Sequence, residues 1–388
     1  RIMSHAILSP SSASRWLACT PSARLEERFP DSTSDFAKEG SLAHEFGETI
    51  LLHLSKGLRT PAYSKRMGAL EKSEHYTADL RVHAESYATF VWEKYQAARK
   101  RDKQAVLRIE EKIDITAYVP EGFGTGDAIV IAEGVLEIVD LKFGKGVRVS
   151  ADHNKQMMLY ALGALDMFNF IYDIHTVRMT IYQPRLDNVS EWEISTEDLE
   201  LWGANELRPL AKKAFAGEGE YIAGTHCKFC KAKAQCKALS AYHMGLAKYD
   251  FQDAALLASS DIADILSQAD QFKSWIASVE EYALRAALDG ENFPGFKLVE
   301  GRSVRRYSDE GKIAEVLTSN GFGEDLIYDK KLKTITAMEK LVTKKTFNAL
   351  CGDLLVKPEG KPTLVQNIDP RPVYNSAGND FANININD

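Results

Sequence analysis

Residues 122–146 read GFGTGDAIVIAEGVLEIVDLKFGKG, and the fold is decided here. Two short runs rich in Val and Ile, 128–132 and 135–142, flank a Gly-containing turn, and the run 105–115 ahead of them has the same character. That pattern predicts three consecutive strands. Residues i and i+2 of a strand share a face, so Asp140 and Lys142 project together from the end of the third. Asp127 follows the glycine-rich GFGTG, read as a tight turn, and enters from the neighbouring strand. Two carboxylates converging in this way make a hard, oxygen-rich site suited to Mg²⁺ or Mn²⁺. A lysine beside them can orient water or stabilise charge on a phosphorane, which is phosphodiester chemistry.

Working outward, 36–55 and 75–101 have the apolar spacing of amphipathic helices, and KQMMLYALGALDMF predicts another over 154–168. Gln156 and Tyr160 are four apart on that helix and share a face, as do His44 and Glu48 on the earlier one. His44 is a plausible additional metal ligand, with Glu48 the alternative. Glu110 and Glu111, on the first strand, read as ordinary sheet-edge charges that could still touch a metal through water. Strands are expected over 175–184 and 189–195, then a helix over 196–215. The order gives an α/β protein whose central mixed sheet is flanked by helices. Beyond it come polar-faced helices to about 287, a strand-like 296–307 and mixed elements to about 355. The expected organisation is a first domain over 9–245, an α+β region over 250–355 and an extended or disordered tail over 356–388.

Of the five cysteines, three sit in HCKFCKAKAQC as a C-x2-C-x5-C run, Cys227, Cys230 and Cys236. Cys19 ends a short N-terminal helix expected from Ser9, and Cys351 reads as a helix thiol. Three close thiols need a fourth ligand, and four soft thiolates suit a structural zinc or an iron–sulfur cluster. The spacing departs from the paired C-x2-C of zinc ribbons. Cys19 could fold back to complete an iron–sulfur set, while His226 is the rival fourth ligand for zinc.

The formal charge is -7, from 48 Lys and Arg against 55 Asp and Glu, which argues against coating nucleic acid through bulk charge. A local basic groove remains compatible with it. Lys142, Lys145 and Arg148 follow the Asp140 motif, Lys228, Lys231, Lys233 and Lys237 surround the cysteines, and Arg302, Arg305 and Arg306 lie on a later strand-like segment. Such groups suit phosphate contacts and salt-sensitive DNA binding. No apolar run approaches the roughly 18 residues of a membrane-spanning helix, and RIMSHAILSPSS carries no signal-peptide core, so a cytoplasmic protein with no membrane partner is expected.

In these motifs the chain resembles the RecB-like branch of the PD-(D/E)XK nuclease superfamily, over about residues 9–240, including the CRISPR-associated RecB-like exonucleases and the AddB nuclease domain. It is also similar, through SPSSASRWLAC, GTGDAIV, DLKFGKGVRV, NKQMMLYALGAL and the later GKPTL and DPRP, to a phage and prophage family of uncharacterised proteins. The resemblance implies a restriction-endonuclease-like core. It implies that His44, Asp127, Asp140 and the backbone carbonyl near Leu141 hold Mg²⁺ or Mn²⁺, that Lys142 acts at the attacking water, and that Gln156 and Tyr160 belong to the Q-x3-Y helix near the active site and DNA. It implies a structural 4Fe-4S cluster on Cys19, Cys227, Cys230 and Cys236. Many members carry Glu where this chain has Asp140, a shorter arm that the superfamily tolerates. Nothing in the superfamily accounts for residues beyond about 250.

The expectation is a metal-dependent deoxyribonuclease, an exonuclease acting on single-stranded DNA or accessible ends. Phage recombination or replication proteins are the expected partners, and the host cytoplasm its location. The alternatives are a catalytically silent DNA- or partner-binding protein on the same fold, or a nuclease stapled by Zn²⁺.

Overall fold

The computed structural model describes residues 6–30, 35–245, 258–299, 309–321 and 323–328, with scattered positions from 335 to 355. The chain divides into two compact units, Arg1–Asp289 and Gly290–Asp388. The expected boundary near 245–250 precedes this one, and the long helix Ser259–Leu288 (α10) belongs to the first unit. Arg302, Arg305, Arg306 and the tail 356–388 lie outside the described residues, as does most of the strand-like segment 296–307.

The first unit is built on one five-stranded sheet, β1 Val106–Asp114, β2 Phe123–Ala132, β3 Val135–Leu141, β4 Thr176–Gln183 and β5 Asn188–Ser195, in sequence order. Its pairs are antiparallel except β3 with β4. The β2–β3 hairpin closes Ala132 onto Val135 through Glu133 (φ 52°) and Gly134 (φ 73°). Two residues at positive φ match the twist of the flanking strands. The parallel step from β3 to β4 requires a crossover, supplied by α6, Lys155–Tyr172.

Helix α6 starts where the Asn154 side chain accepts the Met157 N–H at 3.3 Å and stops at Asp173 in the left-handed region, φ 47°. It is buried on nearly every side, because its apolar residues extend around the helix from Met157 to Phe168. Together with the N-terminal Leu8 and Trp16 it covers one face of the sheet, against Ile129, Ile131, Leu136 and Ile138. The opposite face packs on α3 (Asp35–Leu54) and α5 (Ala78–Arg101) through Phe46, Leu51, Leu80 and Tyr87. Thr77 caps α5 by accepting the Leu80 N–H at 3.1 Å, and Arg99, Lys100 and Arg101 complement the helix dipole at its end. Between them α4, Thr60–Leu70, is a helix that the sequence reading lacked. The expected helix over 196–215 is Thr196–Trp202 (α7) and Arg208–Ala216 (α8), joined by a π-helical segment Gly203–Leu207.

The stretch GFGTG is not a turn: after Gly122 it forms the start of β2. Its glycines let other groups approach closely. A Cβ on Gly124 would lie 2.6 Å from Tyr160 Cε1 and 3.0 Å from Pro10 Cγ, and one on Gly126 would lie 2.9 Å from Ile113. On the helix side, a Cβ on Gly163 would stand 2.4 Å from Ile113 and 2.5 Å from the Asp114 carbonyl oxygen. Backbone cannot yield as a flexible side chain can, so α6 rests on β1 only through a glycine. Gly163→Ala is expected to lower stability by about 2–3 kcal/mol, the upper range for overpacking; an unchanged urea midpoint would contradict this contact.

Candidate metal and nuclease-type centre

The strand registers assemble the site. Ala128 pairs with Val139 and Ile109 with Ala128, so Asp127 stands level with Asp140 on one side and with Glu110 on the other. Three carboxylates therefore lie at one level of three adjacent strands. Glu110 has φ 49°, an unfavourable backbone for a non-glycine residue that costs on the order of 1–3 kcal/mol. Together with His44 from α3, Glu110 and Asp127 form the one grouping among the described residues in which three potential ligand atoms lie within 4.8 Å of one another. Glu110, read from sequence as a sheet-edge charge, is thus corrected to a residue of the site.

His44 Nδ1 lies 3.1 Å from Asp127 Oδ1, and the other oxygen of Asp127 accepts the Leu141 N–H at 2.7 Å. Leu141 thereby contributes its amide to the site. Asp140 is buried, and Lys142 Nζ stands 2.9 Å from its Oδ2, as the i, i+2 reading required. That Oδ2 nevertheless has no aligned hydrogen-bond donor. Lys142 donates to Gln156 Oε1 at 2.8 Å, and Gln156 Nε2 reaches Asp140 Oδ1 and Tyr160 Oη, each at 3.3 Å. Asp127, Asp140, Lys142, Gln156, Tyr160 and His44 are all brought together. Glu48 is not; it pairs with Arg66.

Two half-buried groups carry the electrostatic signature of this arrangement. Burial disfavours a charged imidazole, yet Asp127, Asp140 and Glu110 together push the His44 pKa to about 9. Burial first, then the negative charge of Asp127, pushes Glu110 up to about 7. Asp140 is raised by burial, with Asp127 adding to the effect, whereas Asp127 is lowered: burial works against its charge, but His44, the Leu141 N–H and Lys142 outweigh it. Desolvation alone would lower Lys142, and the pull of Asp140 raises it instead, so it stays charged. Tyr160 is raised by burial and by Asp140. Beneath the site the buried Tyr87 hydroxyl has no hydrogen-bond partner and is likewise raised, by burial and then Asp127. Three neighbouring carboxylates and an adjacent imidazole fit a divalent cation with hard oxygen and nitrogen ligands.

Four of the basic residues named from sequence, Lys145, Arg148, Lys228 and Lys231, sit on two loops. Lys145 and Arg148 are exposed on the segment after β3, which is held where Gln183 Oε1 accepts the Val149 N–H at 2.7 Å and Ser190 Oγ accepts that of Ala151 at 2.9 Å. Lys228 and Lys231 are exposed beside the cysteines.

Cys19 follows α1 (Ala13–Ala18), Cys227 lies in the 3₁₀ turn Thr225–Phe229 with Cys230 just after it, and Cys236 opens α9 (Lys237–Met244). All four line one cavity of about 20 Å³, together with His226. Around it, Glu26 from α2 (Ser22–Glu26) binds Arg15 at 2.8 Å and accepts the Lys231 N–H at 2.7 Å, and Arg24 donates to the Phe215 carbonyl at 2.6 Å. Burial and the nearby Glu26 push the Cys230 thiol up to about 12. A soft cation bound there would favour its thiolate form. His226 hydrogen-bonds Cys19, which raises its pKa, and its Nε2 contacts the Ile222 carbonyl at 2.9 Å. Cys351 is half-buried at the end of a helix, Lys344–Cys351, in the second unit.

Fold and centre together define an α/β protein with an acid-rich site fed by three adjacent strands and two helices. The chain belongs to the family described as Protein of unknown function (DUF2800), whose model matches residues 5–372. Among solved structures, one titled "Crystal structure of SSO0001" is similar at 15% identity over 50% of this chain and 85% of the other, with a TM-score of 0.21. No described helix is long and apolar enough to cross a membrane.

The folded pKa values of His44 and Glu110 both lie above their ordinary values of 6.5 and 4.5. The folded state therefore holds protons that the unfolded chain has released, and stability is lost as pH rises. For Glu110 the window is 4.5 to about 7, and for His44 it is 6.5 to about 9. The metal-free protein is expected to show a urea midpoint that falls from pH 6.5 to 9, with the fall reduced in His44→Asn and by saturating Mn²⁺. A midpoint that rises over that range would contradict the arrangement.

Proposed function

We propose that this protein is a Mg²⁺- or Mn²⁺-dependent DNA nuclease of the RecB-like type with a structural iron–sulfur cluster, acting on single strands or accessible ends. The observation that carries this reading is the contact chain from His44 through Asp127 to Leu141, adjoining the Asp140, Lys142, Gln156 and Tyr160 network. His44, Asp127 and Asp140 would hold the ion, with Glu110 close enough to join them. A bound divalent ion there supplies Lewis-acid polarisation of the scissile phosphate and a more acidic water.

The chain's own residues do the rest. Because Lys142 stays charged, it serves as a fixed donor that orients the attacking water and offsets charge on phosphorus. Water adds to phosphorus and releases a proton to solvent, the bond to the leaving sugar oxygen breaks, and that oxygen takes a proton from solvent. Gln156 fixes the lysine by accepting from Nζ and restrains Asp140 through its amide. Tyr160, protonated, closes the far side. Lys145 and Arg148 lie on the loop that leaves the motif, where cations can track a phosphate backbone. A place in phage recombination, replication or repair follows from the resemblance of the motifs.

Cys19, Cys227, Cys230 and Cys236 would hold the cluster, tying the N-terminal helix to the segment after α8. Their sulfurs share a cavity, yet no three of them lie within 4.8 Å of one another. Protein purified without oxygen is expected to be brown with broad absorption near about 400 nm, lost in Cys19→Ser. A colourless protein with stoichiometric zinc would overturn the cluster assignment. For the chemistry, Asp140→Ala and Lys142→Ala are expected to lose at least about 100-fold of Mn²⁺-dependent cleavage of single- and double-stranded DNA; wild-type rates in both variants would sink the nuclease reading.

A further inference from the structure

Helix α10 lies against the cysteine-bearing segment, tied to it where Gln271 Nε2 donates to the Gly224 carbonyl at 2.8 Å. Between them is a cavity of about 180 Å³. It shares none of the carboxylate site's residues. His243, at the end of α9, reaches into it from an aromatic box: its ring stacks on Trp275 at 4.9 Å and meets Phe272 edge-on at 5.5 Å. The imidazole is 1% exposed, and neither of its nitrogens has a hydrogen-bond partner. The Trp275 indole N–H is buried and unpartnered as well.

Leaving such groups unpaired costs about 1–3 kcal/mol each, so the cavity calls for a polar occupant. Indole nitrogen offers only a donor, and a neutral imidazole offers one more. Thr225 and Ser274 add hydroxyls to the lining, and Lys228 and Lys233 add the cationic side chains on the wall opposite α10. Asp270, the only acid of the lining, is fully exposed and lies 4.0 Å from Lys273. Donors and cations therefore outnumber acceptors, and the room exceeds what a single water needs.

We propose that this cavity binds the phosphate of a nucleotide or of a nucleic-acid strand end, with Trp275, His243, Lys228 and Lys233 as its donors. The site is separate from the carboxylate centre, and its occupancy does not depend on that centre being a nuclease.

Binding of the full-length protein, free of divalent metal, to a labelled oligonucleotide with a terminal phosphate is compared with the same strand bearing only hydroxyl ends. Inorganic phosphate and deoxyadenosine monophosphate serve as competitors. A preference for the phosphorylated end of at least tenfold is expected, falling below twofold in Trp275→Phe and in Lys233→Ala, each checked for an unchanged thermal midpoint. Competition by the mononucleotide would identify free nucleotides as a source of the ligand; competition by neither small molecule would identify the strand end. No preference in the wild-type protein, or the same preference in both variants, would overturn the proposal and leave the cavity to water.

Discussion

Three carboxylates at one level of three neighbouring strands repel one another, and the first unit's functional centre is organised around that constraint. Glu110, Asp127 and Asp140 have His44 and Lys142 close by, Asp140 is buried and the others are half-buried. In such surroundings like charges cannot all be carried without cost, so protons are retained: on His44 up to about pH 9, and on Glu110 up to about 7. A divalent cation relieves the same repulsion more fully than protons do. The ladder that positions these acids depends in turn on glycine in β2, where Tyr160 and Pro10 crowd Gly124, and on Gly163, through which α6 lies on β1. Packing and charge are thus parts of one arrangement.

The cysteine segment has a mechanical role in this arrangement. Residues 19 and 227–236 are far apart in sequence, yet Glu26 binds the Lys231 N–H within the distant segment, while Arg24 and Thr20 bind the Phe215 and Glu218 carbonyls ahead of it, Thr20 at 2.5 Å. Four thiols meet at one cavity beside those contacts. A cluster at that point would lock a junction already shaped by hydrogen bonds, holding α1 and its Trp16 against the core that supports α6.

Local periodicity made half of the centre readable. Asp140 with Lys142 follows from the two-residue repeat of a strand, and Gln156 with Tyr160 from the helical turn, and all four meet in the structure. Glu110 was not readable, because its level depends on the β1–β2 register across a long connection, which no local pattern supplies. The helix Thr60–Leu70 buries only Met67 and Leu70, too thin an apolar stripe to stand out. GFGTG misled for a physical reason: glycine there serves close packing within a strand, whereas in isolation it reads as a turn. Tyr87 gave no signal beyond a core position, since its proximity to the acids arises only from how α5 crosses the sheet.

The account stands on a cation at the three-carboxylate level, and electron paramagnetic resonance of Mn²⁺ mixed with the protein measures that directly. Loss of the free-ion signal to a saturable, stoichiometric site is expected in the wild-type protein, with the site abolished in Asp127→Asn and weakened in Glu110→Gln. Undiminished Mn²⁺ binding in Asp127→Asn, or no bound Mn²⁺ in the wild-type protein, would contradict it.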